Sequence, residues 1–189
     1  IAADGLANEA TQARRVLTER IGNIVNSRQR GTQITLALDN SLSDDEAYTL
    51  AINAKGVTAK GKTARGVFYA LMTLDQLLRG NGSTECADAI PALFISDKPR
   101  THVRELMVDP ARTFIPFEDL KAFVPEMARY KLNAMHLHLV DDQAWRIEIK
   151  KYPQLTTQAS SRWGQDDIQM PYKGYYTQEQ MRELVKLGA

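Results

Sequence analysis

Two runs of the chain bring together residue types that can do chemistry. One is Asp109-Pro110-Ala111-Arg112, and the other is Asn133 to Ile149, NAMHLHLVDDQAWRIEI. In the longer run an alternation of apolar residues and histidines leads into the paired carboxylates Asp141 and Asp142, followed by Trp145, Arg146 and Glu148. The planar guanidinium of Arg112 can donate two directed hydrogen bonds to adjacent hydroxyls, a geometry lysine does not offer; the alternative is a structural ion pair with Asp109 or Asp142. Carboxylates that follow a buried strand in an α/β protein sit where such folds bind ligands, which marks Asp141 and Asp142 as candidates.

The elements that must position these groups follow from periodicity. Met135, Leu137 and Leu139 alternate with Ala134, His136, His138 and Val140, the pattern of a strand over 134–140 with both faces buried. Arg104 to Val108 reads as the preceding strand, so that Arg112 and Asp141 each follow a strand. Between them, Pro116 starts a helix with Glu118 and Asp119 in its first turn and a buried stripe of Phe117, Leu120, Val124 and Met127. Pro125 falls inside it and predicts a kink or an early break. A last helix from about Thr177 carries Met181, Leu184, Val185 and Leu187 as its apolar positions.

The first half shows no comparable cluster. Helical spacing runs from Leu6 to about Ile24, a polar turn covers Arg28 to Gly31, and Ile34 to Leu38 alternates as a short strand. After the acidic loop Asn40 to Glu46, Tyr48 to Asn53 and Val57 to Ala59 form a hairpin turned at Lys55-Gly56. Thr63 is the expected N-cap of a helix reaching Leu78 and stopping at Gly80. Residues up to about Leu78 are expected to fold alone, and Asn81 to Pro99, with its two prolines, reads as the crossing between domains.

The blocks LMVDPARTF, YKLNAMHLHLVDDQAWRIEIKKYPQLT and GYYTQEQMRELV resemble the opening of the catalytic barrel of glycoside hydrolase family 20, the β-N-acetylhexosaminidases, over roughly Arg100 to Ala189. The segment AKGKTARGVFYALMTLDQLL is similar to the end of the small domain that precedes that barrel. The resemblance implies a small α+β domain over 1–95, helix-strand-hairpin-helix, followed over 100–189 by the start of an α/β (β/α)8 TIM barrel. Such a barrel needs about 250 residues, so a truncated barrel is expected here. The resemblance further implies that Arg112 holds hydroxyls of the non-reducing sugar, and that Asp141 supports a histidine that orients the catalytic acid. It implies substrate-assisted cleavage of terminal N-acetylglucosamine or N-acetylgalactosamine, in which the sugar's acetamido oxygen attacks the anomeric carbon and an aspartate-glutamate pair assists. No block matching that pair is present; Asp166-Asp167 and Asp44-Asp45-Glu46 lie in loops without such a context. Ala144, where the family has glycine, and Thr113, where histidine is common, depart from the pattern and bear on loop geometry more than on chemistry. Asp142, Trp145, Arg146 and Glu148 are expected to brace the segment, with Trp163 a weaker candidate for stacking on a ligand.

Two further readings compete. His136-x-His138 followed by aspartate also resembles the opening of metal-dependent amidohydrolase sites, but no third histidine cluster exists and His102 is remote, so interior hydrogen-bonded histidines and no metal or other cofactor are expected. A non-enzymatic carbohydrate-binding or interaction module is the other. A formal net charge of +1 with interspersed acids and bases supplies no field for nucleic acid, and no apolar run is long enough for a membrane span. A neutral partner is therefore expected, and the family resemblance implies a glycan ending in N-acetylhexosamine. Cys86 stands alone in a polar loop, which excludes an internal disulfide. The start at Ile1 rather than methionine is compatible with a removed signal sequence, which the sequence does not itself show, and a secreted or periplasmic location is expected ahead of a cytoplasmic one. The incomplete barrel, with apolar faces around Leu106, Met135, Leu137 and Leu139, is expected to self-associate and to be inactive by itself.

Overall fold

The computed structural model describes residues 2–21, 33–79, 90–160 and 173–188. The chain divides into two compact units, Ile1–His102 and Val103–Ala189. Predicted features at Gly22 to Ile24, Arg28 to Gly31, Gly80, Cys86, Trp163 and Asp166-Asp167 lie outside the described residues.

The first unit is a mixed four-stranded sheet with two helices. Helix α1 covers Ala7–Ile21, strand β1 Gln33–Leu38, β2 Tyr48–Asn53, β3 Gly56–Gly61, helix α2 Ala64–Arg79 and β4 Leu93–Asp97. The strand order is β1-β3-β2-β4, with β1 parallel to β3 and the other pairs antiparallel. The alternation of the sequence sorts the sheet into faces. Leu36, Tyr48, Leu50, Ile52, Val57 and Ala59 are buried in one cluster with Val67, Leu71, Leu74 and Leu78 of α2. The β2–β3 hairpin turns through Ala54 and Lys55, with the Lys55 N–H donating to Asn53 Oδ1 at 2.8 Å. Gly56 follows at φ +140°, and a Cβ there would overlap the Gln33 carbonyl of the neighbouring strand.

Two expectations change. The segment read as a crossing supplies an edge strand, β4, which pairs with β2 from Leu93↔Ile52 to Asp97↔Tyr48. Tyr48, buried between sheet and helix, donates its hydroxyl to Asp97 Oδ2 at 2.9 Å, so the sheet is incomplete in a piece ending at Leu78. Thr63 does precede α2 and its carbonyl accepts the Val67 N–H at 3.2 Å. Its hydroxyl, however, donates to the Asp45 carbonyl at 2.6 Å, tying the helix start to the acidic loop.

The second unit contains two parallel strands. Strand β5 covers Glu105–Val108, helix α3 Phe117–Arg129, strand β6 Ala134–Leu137, a short helix α4 Gln154–Thr157 and helix α5 Gln178–Gly188. Strands β5 and β6 pair in parallel, with Leu106 opposite Met135 and Val108 opposite Leu137. These four, with Leu139, pack against Phe117 and Leu120 of α3 and Met181 and Leu184 of α5. They are therefore covered rather than open, and the face left exposed is the other one, carrying Glu105, Met107 and His136. The expectation that both faces of the second strand are buried thus holds for one face among the described residues. Helix α3 does not break at Pro125 but continues four residues to Arg129. Leu120 and Val124 pack into the core before the proline and Met127 is buried after it, which offsets the missing backbone bond. On α5, Leu184 is buried as expected, whereas Val185 and Leu187 are exposed.

Candidate functional site

Asp109 is the first residue after β5, and its side chain folds back on Arg112. Oδ1 accepts the Arg112 backbone N–H at 3.1 Å and Oδ2 accepts Arg112 Nη1–H at 2.8 Å. Pro110 and Ala111 between them are buried, so the turn is fixed while the guanidinium stays partly open. At the end of β6 the chain makes a tight loop. The Arg146 N–H donates to the Leu139 carbonyl at 2.8 Å and the Asp141 N–H to the Ala144 carbonyl at 3.1 Å. Ala144 is buried there without a left-handed backbone, since Lys131 is the positive-φ residue other than glycine among the described residues. Glycine is thus not required at that position.

The two strand ends meet through side chains. Arg112 Nη2 lies 2.8 Å from Asp141 Oδ2, and His138 Nε2 lies 2.5 Å from the same oxygen. Asp141 Oδ1 accepts the backbone N–H of Asp142 at 2.8 Å. The structural partner of Arg112 is therefore Asp141 together with Asp109, not Asp142. The hydrogen bond to His138, then that from the Asp142 N–H, and the charge of Arg112 hold the Asp141 carboxyl at about 2, well below the usual range. At Asp109 partial burial acts in the opposite sense, but the bonds from Arg112 outweigh it and keep the carboxyl low. Arg112 in turn is held more basic by its hydrogen bond to Asp109. Of its five guanidinium N–H groups, two face these carboxylates, and the side chain is 45% exposed. The arrangement is a cation pinned from two sides with donors left over for neutral hydroxyls.

Beneath this pair lies Arg146, with no exposed surface. Its guanidinium donates to four backbone carbonyls: Pro110 at 2.8 Å, Ser160 at 2.5 Å, Gly174 at 3.0 Å and Ala111 at 3.3 Å. It thereby clamps the turn that carries Arg112. Burial lowers its basicity, and the Phe114 ring lies 5.5 Å from Cζ. Trp145 Nε1–H donates to the Ile147 carbonyl at 2.6 Å, and Glu148 Oε2 accepts the Gln178 N–H that opens α5, at 3.0 Å. Both brace the segment, as their positions in the sequence predict.

His136 and His138 do not converge on a metal site. His138 faces Asp141, while Nδ1 of His136, with its side chain 54% exposed, lies 3.8 Å from Glu105. No group of three metal-ligating side chains occurs among the described residues. The pairing of His138 with Asp141 is the feature that sequence reasoning missed; the signal for it is the three-residue spacing across the strand end. In the first unit an open depression of about 390 Å³ touches Asp45, Glu46, Lys62 and Arg65. Its two cations are each paired with a carboxylate, Lys62 with Asp45 at 3.3 Å and Arg65 with Glu46 at 3.5 Å, so it offers no comparable set of directed donors.

Comparison with known proteins bears on both units. Residues 1–98 match the model of glycosyl hydrolase family 20, domain 2, and residues 102–189 that of the glycosyl hydrolase family 20 catalytic domain. A beta-hexosaminidase of Porphyromonas gingivalis is 40% identical over 84% of this chain and 21% of its own length. One from Akkermansia muciniphila is 43% identical over 75% of this chain and 28% of its own. Among solved structures, an N-acetyl-beta-hexosaminidase of Streptomyces plicatus in complex with Thio-NAglucal superposes with a TM-score of 0.83 at 31% identity, over 100% of this chain and 38% of that one. The chain thus spans about a fifth to two fifths of the length of these relatives. On the match of the domain 2 model to more than half of its residues, the chain belongs to glycosyl hydrolase family 20.

Proposed function

We propose that this chain is part of a β-N-acetylhexosaminidase that hydrolyses terminal N-acetylglucosamine or N-acetylgalactosamine from glycoconjugates. Arg112 holds hydroxyls of the terminal sugar, and Asp141 supports the site from behind. The observation that carries this reading is the Arg112 guanidinium, fixed by Asp109 and Asp141 at 2.8 Å each while three of its N–H groups face neither carboxylate. Held at about 2, the Asp141 carboxyl stays ionised above about pH 4, so the cation stays balanced and the donors stay aimed.

The mechanism is substrate-assisted. The acetamido oxygen of the sugar attacks the anomeric carbon as an acid protonates the leaving oxygen, and water then opens the cyclic intermediate with retention. The aspartate and glutamate that steady the acetamido group and supply the proton lie outside this chain. Strands β5 and β6, with α3 and α5, open the (β/α)8 barrel, whose remaining units belong to the longer polypeptide. The 21% to 38% share of the relatives' length supports this arrangement. Alone, the chain exposes Met107 and the neighbouring strand face, a surface suited to self-association.

The full-length parent is expected to release chromophore from an aryl N-acetyl-β-glucosaminide, with its rate unchanged after dialysis against a chelator. No release, or activity lost on chelation and restored by zinc, overturns the proposal.

A further inference from the structure

We infer that His138 is the positioning residue of this site: its Nε2–H holds the Asp141 carboxylate where it aims the Arg112 guanidinium at the sugar. The inference rests on the reading of Arg112 as the group that holds the sugar.

Three observations carry it. First, His138 and Arg112 meet on one oxygen, Asp141 Oδ2, at 2.5 Å and 2.8 Å. Any shift of that oxygen moves the guanidinium. Second, His138 is the rigid member of the pair. Its backbone N–H donates to the Val108 carbonyl at 2.9 Å and its carbonyl accepts the Ala111 N–H at 3.2 Å, so its backbone is bonded to both the end of β5 and the turn that carries Arg112. Arg112 is the soft member, a long side chain 45% exposed against 32% for His138 and 23% for Asp141. An arginine so exposed loses rotamer entropy when it is held in one place, and the fixed carboxylate is what holds it. Third, the chemistry assigns the proton. An ionised carboxylate only accepts, so His138 carries its hydrogen on Nε2, and Nδ1 is the acceptor in the neutral ring. The other charged groups around Asp141 are Asp109, which shares Arg112, and Asp142, whose N–H binds Oδ1.

The role differs from simple packing in what replaces it. His138→Phe keeps a ring and removes the donor, whereas His138→Gln restores an N–H that can reach the carboxylate. In the full-length parent, His138→Phe is expected to lower kcat/KM on the aryl glucosaminide by about tenfold, within the range of coupled contacts. His138→Gln recovers most of that loss. In an Arg112→Ala background His138→Phe costs little more, because the group it positions is already gone. Equal losses in the two His138 variants, or full additivity with Arg112→Ala, overturn the inference.

A readout independent of hydrolysis separates this inference from the functional one. The 189-residue chain has three histidines, so nitrogen NMR resolves them individually. His138 is expected to carry a hydrogen on Nε2, and carboxyl carbon NMR is expected to show Asp141 titrating at about 2 and moving toward the ordinary value of about 3.9 in His138→Phe. The Nδ1–H tautomer, or an unmoved Asp141, refutes the positioning role even if the parent hydrolyses the substrate. If the parent does not hydrolyse it, these two signals alone decide whether His138 holds Asp141.

Discussion

Replacing Arg146 by methionine keeps most of the aliphatic volume and removes the donors from beneath the site. The carbonyls of Pro110, Ala111, Ser160 and Gly174 lose a charged partner at 2.5 to 3.3 Å in a place where the arginine has no exposed surface. A hydrogen bond to a charged group contributes about 1.5–3 kcal/mol, so four would total about 6–12 kcal/mol if they added. They do not add, because the contact at 3.3 Å is weak and because the variant no longer has to desolvate a guanidinium, the same cost that lowers Arg146 basicity. The net loss expected for removing one side of such a buried network is about 3–5 kcal/mol. Both tryptophans of the chain, Trp145 and Trp163, fall within 103–189, so their fluorescence during urea unfolding follows the second unit. With a slope of about 2 kcal/mol per M, the midpoint falls by about 2 M. Arg146→Lys should recover little, since an ammonium cannot span four carbonyls that approach from three separate segments. A methionine variant within about 0.5 kcal/mol of the parent, the usual spread for surface changes, would refute the clamp.

Other predictions follow from the same geometry. Asp141 has a folded-state value of about 2, below its unfolded value of about 3.9. The stability it contributes is therefore present above about pH 4 and is lost as pH falls through about 2. Asp141→Asn should flatten the acid limb of a stability profile over that window, and an unchanged limb counts against the ionised Asp141 network. A fragment of residues 1–102 should unfold cooperatively in urea, while 1–79 should not, because β4 and the Tyr48–Asp97 hydrogen bond are missing from the shorter piece; equal cooperativity would make β4 dispensable. The isolated 189-residue chain should show no hydrolysis of an aryl N-acetyl-β-glucosaminide, and turnover that scales with its concentration would mean that it carries its own acid.

Much of this arrangement is legible in the order of residues, and the exceptions have physical causes. The hairpin of β2 and β3 and the stripe of α2 are local patterns, set by alternation and by helical spacing. Strand β4 escaped because it is a short edge strand bounded by Pro91 and Pro99, and its alternation of Leu93 and Ile95 with Phe94 and Ser96 is too brief to outweigh them. Pro125 looked like a kink or a break because the local cost is visible in sequence, whereas the packing of Leu120 and Val124 and the burial of Met127 that offset it are not. Arg112 and Asp141 stand out by residue type and by following strands. The tie between them, the share that His138 takes in it, and the backbone carbonyls that receive Arg146 depend on how two parallel strands end side by side. Carbonyl acceptors leave no trace in residue identity.

The central claim is that Arg112, pinned by Asp109 and Asp141, grips the terminal sugar. Steady-state kinetics of Arg112→Ala in the full-length parent, on an aryl N-acetyl-β-glucosaminide with N-acetylglucosamine as competing inhibitor, tests it most directly. Hydrogen bonds from a charged donor to a bound sugar contribute about 1–3 kcal/mol. The account predicts kcat/KM lower by about fivefold to 150-fold, with inhibition by the free sugar weakened alongside and the fold retained. Parent-like kinetics with parent-like inhibition would contradict it and leave Arg112 as an ion-pair partner alone.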